Sequence, residues 1–514
     1  MDSQLKINIG QFLSANKSMI EAPAGHGKTH SIVDCLEHFE YKGKKILILT
    51  HTHAGIASIK AKITERDILP KYYELATICS FTLNLTCAYV NNELLSDDSD
   101  MKVKYQEAQE YAIQLLQACP IKSVLRAKYE HVIVDEYQDC DILQHQLINL
   151  LGDVIKVHIL GDSMQSIFGF NGTPVDLNNS EFDVYKENLQ TLSTPWRWNN
   201  AGCPELGKEI LQIRELLQNR QNVNLQQYKH IQFIHTQKND LYWHRKSKTD
   251  IPPKILQILY TYLNNKYKGN VLIIYPISHN KKARIKLTKN MFNLGMLESI
   301  DDSDYYDTVN AFENNNGQEL FAAIINFLKE TCSASSIDDY VNSDGRFKDR
   351  IRKPEKLLVL QELKNVTNPL LTQKSYAGIL SCIKQIRNIL KIKVARKDIY
   401  YTIERILTDS TQRNVTLIES LKLNRDKVRR LGRNIQGKFI GTTLLTKGLE
   451  CETVIVLDAH RFPDEKHLYV ALSRCSQRLI VASETTVLSP YKNKKDKSIP
   501  SDAIQLSLFP EFDN

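Results

Sequence analysis

Long apolar runs are missing from this 514-residue chain, so no membrane partner is expected. The N-terminus, Met1-Asp2-Ser3-Gln4, lacks the charged-then-apolar build of a signal peptide, and the expected location is cytoplasmic. Ten cysteines are scattered without one CxxC pair, and Cys140, Cys451 and Cys475 sit beside strand-like runs. That pattern argues for reduced thiols and against a disulfide frame or a zinc site. There is no internal repeat. A strong charge of one sign is also lacking: the net charge of +8 suits a solvated surface as well as it suits nucleic acid. The length is too great for one core and suits three or four domains.

What is present begins with Glu21-Ala22-Pro23-Ala24-Gly25-His26-Gly27-Lys28-Thr29, behind the apolar triplet Ser18-Met19-Ile20. This reads as a strand running into a phosphate-binding loop, with an amphipathic helix expected over His30 to Phe39. Gly25 and Gly27 let backbone N–H groups close around phosphates. Lys28 supplies a point charge for the β and γ oxygens of ATP, and the Thr29 hydroxyl can ligate Mg²⁺. Ala22 replaces the glycine that opens the general pattern. A glycine-rich turn before an ordinary helix would look similar, but a second phosphate signal argues against it. The apolar run His131-Val132-Ile133-Val134 ends in Asp135-Glu136-Tyr137-Gln138-Asp139. Asp135 would hold the metal directly or through water, and Glu136 would orient and deprotonate the attacking water.

A third strand, Val157-His158-Ile159-Leu160, leads into Gly161-Asp162-Ser163-Met164-Gln165-Ser166-Ile167-Phe168-Gly169-Phe170. The Gln165 amide can bond a γ-phosphate and report its loss, while Phe170 offers an aromatic face to a base. Further on come Pro195-Trp196-Arg197-Trp198, then Thr442-Thr443-Leu444-Leu445-Thr446-Lys447-Gly448-Leu449-Glu450 and Tyr469-Val470-Ala471-Leu472-Ser473-Arg474.

The ordered set APAGHGKT, LTHTHAG, ATICSF, VDEYQD, GDSMQSIFGFNG, PWRW, TTLLTKGLE and YVALSRC resembles the UvrD/Rep-like superfamily 1 helicases of the 3′-to-5′ branch. The resemblance implies two tandem RecA-like α/β P-loop motor domains with helical insertions, ATP and Mg²⁺ in the cleft between them, and single-stranded DNA across the top. It implies that Ala22 through Thr29 hold the nucleotide, that Gln165 senses the γ-phosphate, and that Arg197 and Arg474 reach it from the second motor. Trp196 stands where a tyrosine stacks on adenine, Glu450 matches the residue that meets the sugar, and Gln11 or Gln4 would read the base. DNA contacts would come from His51, Thr52, Phe170 and Thr443. Three of these blocks depart from the family pattern: His51 replaces a stacking phenylalanine, Phe170-Asn171-Gly172 loses a cation, and Thr442-Thr443-Leu444 lacks a histidine. The ATPase reading is untouched by these changes; processive unwinding is not.

The expected layout is a first motor over 1–81 and 122–195, interrupted by a reduced helical insertion over 82–121. A second motor follows over 196–300 and 434–488, interrupted by an all-helical insertion over 301–433. Helical faces such as Leu320, Ile324, Ile325, Leu328 and Ile379, Ile383, Ile386, Ile389 mark the larger insertion. The remainder, 489–514, holds the basic linker Lys492-Asn493-Lys494-Lys495-Asp496-Lys497 and a tail, Gln505-Leu506-Ser507-Leu508-Phe509. That tail resembles the peptide by which bacterial replication and repair proteins dock on the sliding clamp; folding back onto the motor is the alternative. The leading expectation is an ATP-dependent 3′-to-5′ DNA helicase or translocase in DNA repair or replication. The alternatives are a nucleotide-gated sensor of an anti-phage system resembling the Gabija-type defence helicase, working beside a partner nuclease, and a clamp-tethered adaptor switched by ATP. No nuclease motif follows the last block, so strand cleavage by this chain alone is not expected.

Overall fold

The computed structural model describes residues 7–491 except 90–100, 169–173, 239, 243–251, 265, 277–279, 292, 298, 300–302, 343, 352 and 432–435. Gln4, Phe170 and the tail residues Gln505, Leu506, Leu508 and Phe509 therefore lie outside the described residues.

The first sheet contains β1 (Lys17–Glu21), β2 (Lys45–Thr50), β3 (Tyr73–Thr77), β4 (Tyr129–Val134), β5 (Lys156–Gly161) and β6 (Leu189–Thr191). All pairings are parallel, in the order β3-β2-β4-β5-β1-β6. Strands covered by helices on both faces must be apolar throughout, as in Ile46-Leu47-Ile48-Leu49, where every side chain is buried. Alternation then divides them between two cores. Ile46 and Ile48 pack with Phe12, Ile32 and Ile59, whereas Leu47 and Leu49 pack with Leu85, Leu116 and Leu147.

The helices of the expected insertion over 82–121 take part in that second core. Helices Ile78–Tyr89, Met101–Gln117 and Cys119–Lys128 send Leu85, Ala112, Leu116, Ile121 and Leu125 into the same cluster as Leu47 and Val132 of the sheet. The described part of this segment is a covering layer of the first motor. An amphipathic spacing tells that a helix has an apolar face, not which surface the face covers.

After Trp196 the chain adds β7 (Val223–Asn224), β8 (Ile231–His235), β9 (Val271–Ile274) and β10 (Gly295–Met296). A helical unit carrying β11 (Cys332–Ser333) and β12 (Lys393–Val394) intervenes before β13 (Lys438–Gly441), β14 (Cys451–Val456), β15 (Cys475–Ser483) and β16 (Val487–Leu488). The second sheet is also six-stranded and parallel, in the order β10-β13-β9-β14-β15-β8, while β7 and β16 form a small antiparallel ribbon. The fold is thus α/β with two RecA-like sheets. The unit between β10 and β13 has its own core, built from Leu320, Ile324, Leu328, Ile379, Ile383, Ile403 and their neighbours. It is not all-helical, because β11 and β12 pair antiparallel inside it. Two-residue strands carry too little alternation to be read from a sequence. Its last helix, Leu417–Leu431, lies against the first motor's helix His53–Glu65. No helix among the described residues is long and apolar enough to cross a membrane.

Candidate nucleotide cleft between two motors

β1 ends at Glu21 and the chain turns through Gly25 (φ 73°) and Gly27 (φ 94°) before helix Lys28–His38. Both glycines occupy the left-handed region, and both are also crowded. A Cβ on Gly25 would lie 2.8 Å from Arg197 Cβ, and one on Gly27 would lie 3.0 Å from Trp196 Cδ1. The second motor therefore closes directly over the loop. Arg197 donates its backbone N–H to the Gly25 carbonyl at 3.0 Å, and Ala24 N–H donates to the Tyr469 hydroxyl at 3.0 Å. His26 is buried, with Nδ1 2.9 Å from the Ala24 carbonyl and Nε2 lacking a hydrogen-bond partner among the described residues.

β4 lies beside β5, and β5 beside β1, which brings the two phosphate signals to the same edge of one sheet. Lys28 Nζ lies 2.6 Å from Glu136 Oε1 and 3.7 Å from Asp135 Oδ1. Burial pulls the ammonium down, but the two carboxylates outweigh it and hold Lys28 above its ordinary value. Burial likewise works against the Glu136 carboxylate, yet Lys28 and Lys447 hold it down at about 2. Asp135 is pushed by burial, and by the neighbouring Glu136 carboxylate, up to about 6 against the opposing pull of Lys28. Glu136 adopts φ 54°, a costly conformation for a side chain of this size, at the turn that aims both carboxylates into the cleft.

Gln165 is buried, with both ends of its amide held: Nε2 donates to Asp162 Oδ2 at 2.9 Å, and Oε1 accepts from Arg474 Nη2 at 3.1 Å. Arg474 also donates to Ser473 Oγ and the Val470 carbonyl, and burial followed by the nearby Arg197 lowers it to about 10. Arg197 pairs with Glu450 Oε2 at 2.7 Å and donates to the Ser473 carbonyl. Trp196 is 47 % exposed beside Gly27. Gln11 is exposed on helix Ile9–Ser14. The cleft thus gathers Ala22 to Lys28, Asp135, Glu136, Gln165, Trp196, Arg197, Glu450 and Arg474, and Thr29 occupies the first turn of the loop's helix.

The positions expected from the sequence to contact DNA are not gathered in the same way. His51 is half-buried, 3.5 Å from Cys140 Sγ, and desolvation lowers it to about 4, so it is a neutral ring at the cleft rather than an open stacking face. Thr443 is 3 % exposed at the start of the short helix Thr443–Thr446. Thr52 is exposed, but its hydroxyl caps helix His53–Glu65 by accepting from Gly55 N–H. Of the three described positions, His51 and Thr443 therefore offer little open surface.

Sequence reasoning gave no role to Lys447, Gln138 or Arg214. Lys447 crosses the cleft, donating to both Asp139 oxygens at 2.5 and 2.7 Å and to the Gln165 carbonyl at 2.7 Å. Gln138, wholly buried, donates to Glu136 Oε2 and accepts from Asp162 N–H at 3.0 Å. Arg214 did carry a signal. It follows Ile210 and Ile213 and precedes Leu217 on the buried face of its helix, where a free arginine would not sit.

The AAA domain family model matches residues 6–171, which span the whole phosphate edge of the first sheet. An ATP-dependent helicase/nuclease chain of Streptococcus uberis is 30 % identical over 151 residues, covering 28 % of this chain and 12 % of the relative. Its counterpart from Streptococcus thermophilus is 26 % identical over 141 residues, covering 26 % and 11 %. Among solved structures, the Pif1 helicase of Candida albicans covers 94 % of this chain and 97 % of its own at 11 % identity, with a TM-score of 0.35. The chain spans about an eighth of the length of the helicase/nuclease relatives it matches.

Among the described residues no three His, Cys, Asp or Glu side chains converge as a metal site. Mg²⁺ still fits this cleft. It keeps several waters and takes phosphate oxygens, so one hydroxyl (Thr29, in the first turn of the loop's helix) and one carboxylate (Asp135, directly after β4) are a sufficient protein share.

Proposed function

We propose that this chain is an ATP-driven motor on single-stranded DNA, a helicase or translocase that moves 3′-to-5′. The observation that carries the reading is the two-sided cleft: Lys28, Asp135, Glu136 and Gln165 on the first sheet, closed by Arg197 and Arg474 from the second. When nucleotide enters, Lys28 exchanges the Glu136 carboxylate for β and γ oxygens. Glu136 is then free to take the proton of the attacking water. Thr29 and Asp135 would hold Mg²⁺, which when bound would neutralise phosphate charge. Arg197 leaves Glu450 and joins Arg474 on the charge that develops in the transition state. Loss of the γ-phosphate frees the Gln165–Arg474 contact to change, which is how chemistry becomes relative motion of the two sheets.

A second reading, a nucleotide-gated sensor beside a partner nuclease, draws on the inward-turned His51 and Thr443, which weaken the grip on a strand. Steady-state ATPase with and without oligo(dT) separates the two. The motor reading expects stimulation by the oligonucleotide, nucleotide binding without turnover in Glu136→Gln, and roughly 10³-fold lower kcat in Arg474→Ala. Equal turnover with and without DNA would favour the sensor. Normal turnover in Glu136→Gln would remove the enzymatic reading altogether.

A further inference from the structure

Arg214 has no part in the nucleotide chemistry above, yet it is among the most engaged side chains near the cleft. It lies on helix Pro204–Gln218, whose apolar face packs into the second motor's core, but its carboxylate partners both belong to the first motor. Nη2 lies 2.5 Å from Glu21 Oε1 and 2.9 Å from Asp162 Oδ1, and Nε lies 3.2 Å from the same Asp162 oxygen. Glu21 is the last residue of β1, immediately ahead of the phosphate loop.

The Asp162 side chain is 0 % exposed, and a carboxylate so buried keeps its charge only with a counter-charge and a full set of bonds. Its other contacts lead to the hydrolytic groups. Oδ2 holds Gln165 Nε2 at 2.9 Å, Oδ1 accepts from Met164 N–H at 3.1 Å, and its own N–H donates to Gln138 Oε1 at 3.0 Å. Gln138 in turn donates to Glu136 Oε2, and Gln165 receives Arg474. Asp162 is therefore the node at which the γ-phosphate sensor, the general base and the second motor meet.

We propose that Arg214 is a positioning residue for ATP hydrolysis: by gripping Asp162 and Glu21 from the second motor, it orients Gln165 through Asp162, and Glu136 through Asp162 and Gln138. Hydrolytic geometry then depends on the two motors touching at this point, separately from the arginines that reach toward the nucleotide. The inference rests on the ATPase reading above.

The test uses the full chain. Arg214→Met should lower kcat at least tenfold while the affinity for a fluorescent non-hydrolysable ATP analogue stays within about threefold of wild type, since the phosphate loop itself is untouched. Asp162→Asn should behave alike, and the double variant should be no slower than either single one, because both cut the same link. Arg214→Lys keeps the charge and guards against a folding artefact. It should match wild type in melting temperature yet remain several-fold slow, because one ammonium cannot hold Asp162 through two nitrogens while reaching Glu21. A kcat of Arg214→Met or Arg214→Lys within twofold of wild type overturns the proposal, as does a double variant whose loss is the product of the single ones. If wild type itself hydrolyses no ATP, the ATPase reading fails and takes this inference with it; if wild type turns over and the Arg214 variants do too, only this inference falls.

Discussion

Two buried histidines show how single residues in this fold set a pH limit. His131 Nδ1 lies 2.9 Å from His158 Nε2, His158 Nδ1 lies 2.6 Å from Ser18 Oγ, and Ser18 donates to the Phe12 carbonyl at 3.1 Å. The carbonyl at the end fixes the direction of the chain: His131 donates to His158, which donates to Ser18. Adding a proton to His158 Nε2 would set it against the N–H of His131. Desolvation lowers His131 to about 4 and His158 well below its ordinary value. Unfolded histidine binds its proton near pH 6.5, so between there and about 4 the unfolded chain holds more protons than the folded one. This contribution to stability is thus complete above pH 6.5 and is lost as pH falls toward 4. Phe39 already packs edge-on against His131, and His131→Phe should keep that contact. The variant should lose stability less steeply than wild type from pH 6.5 to 4.5, measured by melting temperature at each pH. Carboxylates elsewhere contribute to both slopes, so the difference between the slopes is the readout. Parallel slopes would show that the pair does not carry the acid sensitivity.

At the scale of elements, Lys447 is the clearest case of one motor reaching into the other. It follows helix Thr443–Thr446 in the second motor, yet its ammonium is buried against Asp139, which follows β4 of the first. Removing one partner of a buried ion pair leaves the other charge unpaired, at a cost of about 3–5 kcal/mol. Lys447→Met should therefore melt well below wild type and hydrolyse ATP slowly. Lys447→Met with Asp139→Asn should recover most of the melting temperature but not the turnover, since the tether between motors stays cut. A double variant that melts as low as the single one would show that the pair matters for some other reason. This contact also marks what the sequence could tell. The strands and the phosphate edge were legible because Ile46 to Leu49 and Val132 to Val134 are apolar runs ending at polar residues, a pattern local to a few positions. The helices over 82–121 were legible as helices but not as a layer of the first motor, because what a face covers is a tertiary fact. Lys447 looks like an ordinary solvated cation in sequence, and Arg214 shows only that it falls on an apolar helix face; the neighbours brought from 308 and 52 positions away make both structural.

For the whole molecule, the proposed motor function raises the question of what would hold a strand of DNA once the stacking positions are reduced. His51 is neutral and turned toward Cys140, and Thr443 is buried, so neither offers a free aromatic face or a cation at the surface. Base stacking is worth about 1–3 kcal/mol per base where an aromatic platform exists. With that share diminished, the proposed DNA affinity would rest largely on phosphate contacts, from a chain whose formal charge is +8. Binding of oligo(dT) should then fall steeply with salt, and the slope of log affinity against log salt, divided by about 0.7 for a single strand, counts the phosphates neutralised. His51→Ala should change DNA affinity less than about threefold, below the loss expected for a stacking platform. The same variant should alter ATP turnover, because the ring faces the region shared by Glu136, Lys28 and Lys447. Fluorescence anisotropy over a salt series, run beside an ATPase assay on the same protein, measures both. A tenfold loss of DNA affinity in His51→Ala with unchanged turnover would return His51 to the strand and reverse the assignment. A shallow salt slope in wild type would mean that some other surface carries the grip. The helical unit is then the next place to look, because its last helix, Leu417–Leu431, already lies against the helix that Thr52 caps.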